Sequence, residues 1–262
     1  MSLPPGVRRT GTRLDPILEA VSARARERGA RRARERSQGR ARFQAALGGA
    51  ELAFIAECKR RAPSTGELSE EVDLGERAHA YKRGGAAALS ILTEQDHFGG
   101  GPEDLAAVAG CGLPRLRKDF TLSLDMVEES VAMGADAVLL ICACLEDGLL
   151  RDLAVCAREQ GLFALVEVHD EEELERALFL EPDAVGVNAR DLREFTIDLA
   201  TVERLLPRIP AGVLRVAESG LHGVEDLKRV RAAGADAALV GTALMRAADP
   251  ARTLREWGEA LR

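Results

Sequence analysis

The chain has 262 residues, 46% of them hydrophobic and 30% charged, with a formal net charge of −7 at pH 7. That length suits one large domain. No apolar run nears the roughly 20 residues that span a bilayer, and the N-terminus lacks the apolar stretch of a signal peptide, so a cytoplasmic protein with no membrane association is expected. Five scattered cysteines without metal-type spacing point to buried, reduced thiols, and with aromatics at only 3% the core must be built from Ala, Val, Leu and Ile.

Residues 1–13 (Pro4, Pro5, Gly6, Arg8, Arg9, Gly11) read as a tail. Leu14, Ile17, Leu18 and Val21 then fall at i, i+3, i+4 and i+7, one stripe of a helix. The spacing predicts that Arg24 to Arg42 continues it, charged on most faces, with Phe43, Ala46 and Leu47 as a second apolar patch before Gly48-Gly49. Residues 1–50 hold twelve arginines and four acids, leaving the remainder strongly acidic. A basic arm can bind nucleic acid, but no aromatic residue interleaves this one before Phe43, so a solvated helix face and steering of an anionic substrate are expected instead.

From residue 52 onward short apolar runs recur at 52–58, 87–92, 113–116, 137–141, 162–166, 184–187, 213–217 and 237–240. Helical patterns separate them, for example Asp170 to Leu180 and Val224 to Ala233. Gly84-Gly85-Ala86, Gly134-Ala135-Asp136-Ala137, Pro182-Asp183-Ala184 and Gly234-Ala235-Asp236-Ala237 each place a helix stop just before a run, because glycine accepts the left-handed capping conformation. Eight buried strands alternating with helices predict a (β/α)₈ barrel, residues 51–262, preceded by the tail and helical extension of residues 1–50. The competing architecture, a doubly wound open sheet, needs a Gly-rich loop after its first strand, and none is present.

Barrel chemistry collects at the C-terminal ends of the strands. The residues expected there, in order, are Glu57 and Lys59, Thr93, Lys118 and Asp119, Cys142, Glu167, Asn188 and Arg190, Glu218 and Ser219, then Gly241 and Thr242. So many acids, lysines and amides converging on one mouth point to a functional cluster. The last two exits, Ser219-Gly220 and Gly241-Thr242, offer backbone N–H groups and hydroxyls to an anion, and in barrels this corner commonly holds phosphate. Ser64 and Gly66, after the first strand, could add to that site. No thiol or hydroxyl has an adjacent base, and the four histidines are far apart in sequence, so no His-rich metal set is expected.

Motifs at these exits resemble indole-3-glycerol-phosphate synthase from about residue 14 to residue 250. They are Phe54-Ile55-Ala56-Glu57-Cys58-Lys59-Arg60 with Pro63-Ser64, Leu92-Thr93-Glu94-Gln95-Asp96 with Phe98-Gly99-Gly100, and Leu116-Arg117-Lys118-Asp119-Phe120. Further on come Leu165-Val166-Glu167-Val168-His169, Gly186-Val187-Asn188 with Arg190-Asp191-Leu192, Ala217-Glu218-Ser219-Gly220, and Val240-Gly241-Thr242-Ala243-Leu244-Met245. The resemblance implies a carbon–carbon lyase of tryptophan biosynthesis that converts 1-(2-carboxyphenylamino)-1-deoxyribulose 5-phosphate to indole-3-glycerol phosphate, CO₂ and water, without cofactor or metal. It implies Lys118 as general acid, Glu167 as the second acid/base group and Lys59 as the contact to the substrate carboxylate. Glu57 and Asn188 would orient Lys118, Lys59 and substrate hydroxyls, and Glu218 would line the same pocket. Arg190 would meet an anion, and Ser64, Ser219, Gly220, Gly241 and Thr242 would hold phosphate. Phe98 and Phe120 would wall the anthranilate ring. The family's N-terminal segment lies across the barrel mouth. A monomer is expected, with weak dimerisation or association with another pathway enzyme as the alternatives.

Three positions depart from the family pattern: Ala189, Thr65 and Thr242. None removes a catalytic group, but they leave room for a paralogue of altered specificity. A barrel that only binds a phosphorylated metabolite would be expected to lack Lys118 or Glu167. The isomerase of the same pathway uses a Cys/Asp pair on strands one and six. Here Cys58 precedes Lys59 and should point away from the mouth by period-two alternation, and strand six ends in Asn188.

Overall fold

A computed structural model describes residues 3–28, 36–62, 66–67, 73–192 and 196–262. Eight parallel strands close into a barrel in chain order: β1 (Ala53–Cys58), β2 (Ala88–Leu92), β3 (Arg115–Lys118), β4 (Ala137–Ile141), β5 (Phe163–Val168), β6 (Ala184–Asn188), β7 (Leu214–Glu218) and β8 (Ala237–Val240). β8 returns to β1 with Ala53 opposite Ala237 and Ala56 opposite Val240. The strands are buried on both faces because one side fills the barrel and the other meets the helix ring, so their sequences show no alternation. A two-residue ladder, Arg61–Ala62 with Gly66–Glu67, follows β1.

Most strands match the expected runs to within a residue at each end, and two differ by more. The third strand is residues 115–118 rather than 113–116, and the fifth continues through Glu167 to Val168. The pairing runs on through the polar residues at the mouth, with Leu92 opposite Lys118, Ile141 opposite Glu167 and Asn188 opposite Glu218. Apolar patterning cannot see those rungs, since a charged side chain stays in a ladder when it faces a shared polar pocket.

The N-terminal segment forms α1 (Leu14–Arg28) and α2 (Gly39–Leu47), two helices rather than one continuous run. α1 buries Leu14, Ile17, Leu18 and Val21, and Leu14 and Ile17 reach the cavity at the strand C-termini. α2 lies at the opposite end, where the strands begin. Its Phe43 ring sits 5.0 Å from that of Phe163 at the start of β5. Gly39 opens α2 because a Cβ there would overlap the Asp136 backbone.

The aspartates that precede alternate strands explain the basic arm. Asp136 accepts the Arg115 N–H at 2.9 Å, Asp236 accepts that of Arg215 at 2.8 Å, and Asp183 accepts that of Ala164 at 3.3 Å. Each therefore caps the neighbouring strand. Arg42 pairs with Asp136 at 2.7 Å and Arg40 with Asp183 at 2.7 Å. Arg24 pairs with Asp96 and Arg28 with Glu129. These four arginines tie the arm to the acidic barrel instead of presenting a free basic face.

The helix ring comprises α3 (Leu74–Gly84), α4 (Pro102–Ala107), α5 (Leu124–Ala132), α6 (Asp147–Glu159), α7 (Glu171–Leu178), α8 (Leu199–Leu205), α9 (Val224–Ala232), a short α10 (Thr242–Arg246) and α11 (Pro250–Leu261). Asp73, Asp170, Asp198 and Asp249 cap four of them through side-chain acceptors, each worth about 1 kcal/mol. No helix among the described residues is long and apolar enough to cross a membrane. All five cysteines are free.

Candidate active site

The mouth of the barrel encloses a cavity of about 170 Å³. Its floor is charged. The Lys118 ammonium lies 2.6 Å from Glu167 and 3.0 Å from Glu218, so three strands (β3, β5 and β7) deliver one cation and two carboxylates to a single point. From β6, Asn188 donates its side-chain N–H to Glu167 Oε1 at 3.1 Å and accepts the Arg190 backbone N–H at 3.0 Å. Asn188 thus orients Glu167 rather than Lys118. From β1, Glu57 holds the Lys59 ammonium at 2.6 Å.

Gly186 makes this cluster possible. It sits on β6 opposite Glu167, and a Cβ there would overlap the Glu218 carboxylate. A Cβ at Gly241 would likewise strike Glu57 and Lys59. At either position a side chain would push these charged groups out of their present places.

Burial and neighbours act on these groups in opposition. Burial alone would lower the Lys118 pKa, but Glu167 and Glu218 outweigh it and raise it well above the ordinary lysine range. Burial would raise Glu167, but Lys118 and His169 hold it well below the usual carboxylate range. Glu218 has Lys118 in its favour, yet burial and the charge of Glu167 prevail and push it up to about 7. Two carboxylates beside one lysine therefore differ widely in acidity, the arrangement that assigns separate acid and base roles. Burial lowers Arg190.

Apolar side chains close the cavity above the charges. Phe98 and Phe120 stand on its wall with Leu14 and Ile17 of α1, and with Leu192 and Ile197 from the segment after β6. At the β7 and β8 corner, Ser219 and Gly220 follow each other with φ of 65° and 72°. Left-handed backbone at a serine is a strained choice that a structure retains only where the chain demands it. Gly241 and Thr242 line the same cavity, with Thr242 opening α10.

Lys118, Glu167, Lys59, Glu57, Asn188, Glu218, Arg190, Ser219, Gly220, Gly241, Thr242, Phe98 and Phe120 all line this one space. Ser64 and Thr65 lie outside the described residues. Three of the expected exit residues have other work. Thr93 and Asp119 bond each other at 2.7 Å and join the buried Arg117, which reaches Glu129 on α5 at 3.0 Å. Asp119 touches the cavity, but its carboxylate is committed to Arg117, to Thr93 and to the Phe120 N–H. The Cys142 thiol is buried and pushed far up by that burial. Cys58 is fully buried and absent from the cavity, so no Cys/Asp acid–base pair faces it. Among the described residues, no cluster of three or more His, Cys, Asp or Glu is arranged to hold a metal ion.

One neighbour was not read from the sequence. His169 lies 3.3 Å from Glu167 Oε1 and 2.9 Å from Glu173. Its signal was available: position 169 follows 167 by two, just past the end of β5, and Glu173 follows by four. Gly186 was quoted in a motif, but only packing reveals what it makes room for.

A family model described as indole-3-glycerol phosphate synthase matches residues 15–257. The chain belongs to the indole-3-glycerol phosphate synthase family. It is 49% identical over 214 residues to indole-3-glycerol phosphate synthase 2 of Streptomyces coelicolor, covering 81% of this chain and 83% of that one. It is 45% identical over 249 residues to an indole-3-glycerol phosphate synthase of Mycobacteroides abscessus, covering 92% of both. Solved structures more distant in sequence share the barrel. A 3-hexulose-6-phosphate synthase superposes with a TM-score of 0.62 at 18% identity, covering 80% of this chain and all of that one. A thiamine phosphate pyrophosphorylase from Pyrococcus furiosus gives 0.59 at 15% identity, covering 84% of this chain and 97% of that one. At such identities these two speak to fold alone.

Proposed function

We propose that this protein makes indole-3-glycerol phosphate from 1-(2-carboxyphenylamino)-1-deoxyribulose 5-phosphate, with Lys118 as the general acid. The observation that carries the assignment of the acid is the Lys118 ammonium, held 2.6 and 3.0 Å from two buried carboxylates at the floor of a cavity with apolar walls. The reaction makes a lyase of tryptophan biosynthesis, as family membership supports.

The ring carbon bearing the carboxylate attacks the ketone carbon, and the ketone oxygen takes a proton from Lys118. Negative charge develops on that oxygen only as the bond forms, so a cation beside it stabilises the transition state more than the ground state. Closure leaves an iminium. The carboxylate then departs as CO₂, and its bonding electrons neutralise the iminium. Loss of the hydroxyl as water, with removal of a ring proton, gives the indole. Glu167 suits that removal because its neighbours keep it anionic. Starting from an ionised carboxylate, each turnover takes up one proton from solution.

Lys59, steadied by Glu57, is placed to meet the substrate carboxylate. Asn188 keeps Glu167 in position, and Glu218 holds Lys118 from the other side. Phe98, Phe120, Leu14 and Ile17 offer an apolar slot for the benzene ring. Ser219, Gly220, Gly241 and Thr242 are the proposed phosphate corner, with Ser64 added from the sequence and Arg190 as a further anion contact. We take a cytoplasmic monomer as the working form; sedimentation of the purified protein tests the monomer, and fractionation of cells tests the location.

The deciding assay follows indole fluorescence as the wild type is given the carboxyphenylamino-deoxyribulose phosphate. Turnover supports the reading. A folded wild type that binds this substrate without consuming it overturns the reading in favour of a binding protein or altered specificity, with Ala189 and Thr65 as the first positions to change.

A further inference from the structure

We propose that His169 is a positioning residue: held between Glu173 and Glu167, it breaks the symmetry of the two carboxylates around Lys118, keeping Glu167 as the anion and leaving the exchangeable proton to Glu218. The proposal rests on the synthase reading, since it concerns how that site divides acid and base work.

The geometry is one-sided. Glu167 has a hydrogen-bond donor on each oxygen, Lys118 at 2.6 Å and Asn188 at 3.1 Å, and the His169 Nε2 stands 3.3 Å from its Oε1 at ion-pair distance, outside hydrogen-bond geometry. Glu218 has Lys118 at 3.0 Å, and its Oε1 has no hydrogen-bond partner among the described residues. A buried carboxylate with donors on both oxygens favours its charged form, and one with a bare oxygen favours its neutral form. His169 stands beside Glu167 and not beside Glu218.

Glu173 is what keeps His169 fit for the task. Its Oε2 accepts from the His169 ring at 2.9 Å and from the His169 backbone N–H at 2.8 Å, which fixes both the ring and the turn into α7. Burial would lower the imidazole, but the carboxylates of Glu167 and Glu173 on its two sides raise it to about 10, which favours the cation at neutral pH. His169 also faces a second cavity outside the mouth, which presents Arg8, Arg9, Arg176, Asp170, Glu172 and Asp191. Within the mouth, the charged groups facing the pair are Lys118, Glu218 and Glu57.

A purely structural histidine would cap the start of α7 and leave the acidity of the site alone. The test is therefore the pH dependence of kcat and KM for wild type, H169Q and E173Q. Loss of a neighbouring cation raises a carboxylate pKa by ~1 unit or more. The acidic limb of the H169Q kcat profile is expected to move up by that amount, with KM within about twofold of wild type, since His169 is outside the substrate cavity. E173Q is expected to move the limb the same way by less. An unmoved limb, or a kcat drop uniform across pH, overturns the proposal. NMR of the histidine rings, with H169Q assigning the signal, gives a readout independent of turnover. An imidazolium persisting at pH 8 in the wild type and titrating lower in E173Q supports it. A neutral His169 ring at pH 7 in the wild type overturns it. If the wild type does not turn over the substrate, the synthase reading fails and the NMR decides the His169 pairing by itself.

Discussion

The two ends of the barrel both bury carboxylates, and they use them in opposite ways. Where the strands begin, Asp136, Asp183 and Asp236 each accept a backbone N–H from a neighbouring strand, and the first two also pair with arginines of α2. Their partners are fixed donors that cannot leave. Where the strands end, Glu57, Glu167 and Glu218 face lysine ammoniums at the cavity, and one oxygen of Glu218 has no hydrogen-bond partner among the described residues. A satisfied carboxylate holds structure together; an under-satisfied one stores reactivity at some cost in stability. The same side-chain chemistry caps strands at one end and, in the proposed reaction, moves protons at the other, and the difference lies in what surrounds it.

Substitutions should separate the ends. Lys118→Ala at the mouth is expected to lower kcat by ~10³-fold or more, as loss of a general acid does, while the urea midpoint stays near that of the wild type. The comparison fails if turnover survives or the protein unfolds. At the other end, Phe43→Ala removes a fully buried ring packed at a tilt against Phe163. It should cost about 3–5 kcal/mol in equilibrium unfolding, with kcat per folded molecule unchanged. Asp236→Ala leaves the Arg215 N–H without its acceptor and should cost about 1–3 kcal/mol. A large kcat effect from Asp236→Ala at constant stability would mean the two ends are coupled.

The finest test concerns Glu218 and pH. Its folded pKa of about 7 lies above its ordinary 4.5. Between those values the folded state binds more protons than the unfolded chain, so this group makes stability fall as pH rises. Glu218→Gln should remove that slope and make the protein more stable than wild type at pH 8, while reducing turnover. Urea melts at pH 5 and pH 8 check the sign. A variant less stable than wild type at pH 8 would mean that the Glu218–Lys118 attraction outweighs the burial of the carboxylate.

Legibility in the sequence also differs between the ends. The mouth could be read because Glu167, Asn188 and Glu218 each follow directly on an apolar run and Lys118 comes one residue later, and a charge at the end of a buried strand has few structural uses. The Gly-Ala-Asp-Ala repeats were read only as helix stops. The strand-capping role of Asp136 and Asp236 depends on a neighbouring strand about twenty positions earlier, which no local pattern reports. Arg24 and Arg42 looked like one solvated helix, because alternation of charge says nothing about which acids lie opposite. Arg117 sat unnoticed beside Lys118. Only the strand geometry separates them, turning Lys118 into the mouth and Arg117 outward to Glu129 on α5.

By itself the sequence determined the eight strands, their closure into a barrel in chain order, and the membership of the charged cluster. These follow from hydrophobic period, helix stops and strand number, all of which are local or countable. Tertiary structure alone decided which carboxylate meets which cation. It set Glu167 against Asn188 and His169, left one oxygen of Glu218 bare, and placed α1 and α2 at opposite ends of the barrel. Those outcomes depend on distances of 3 Å or so between strands far apart in the chain, and at that range a hydrogen bond made or missed sets the charge of a buried group.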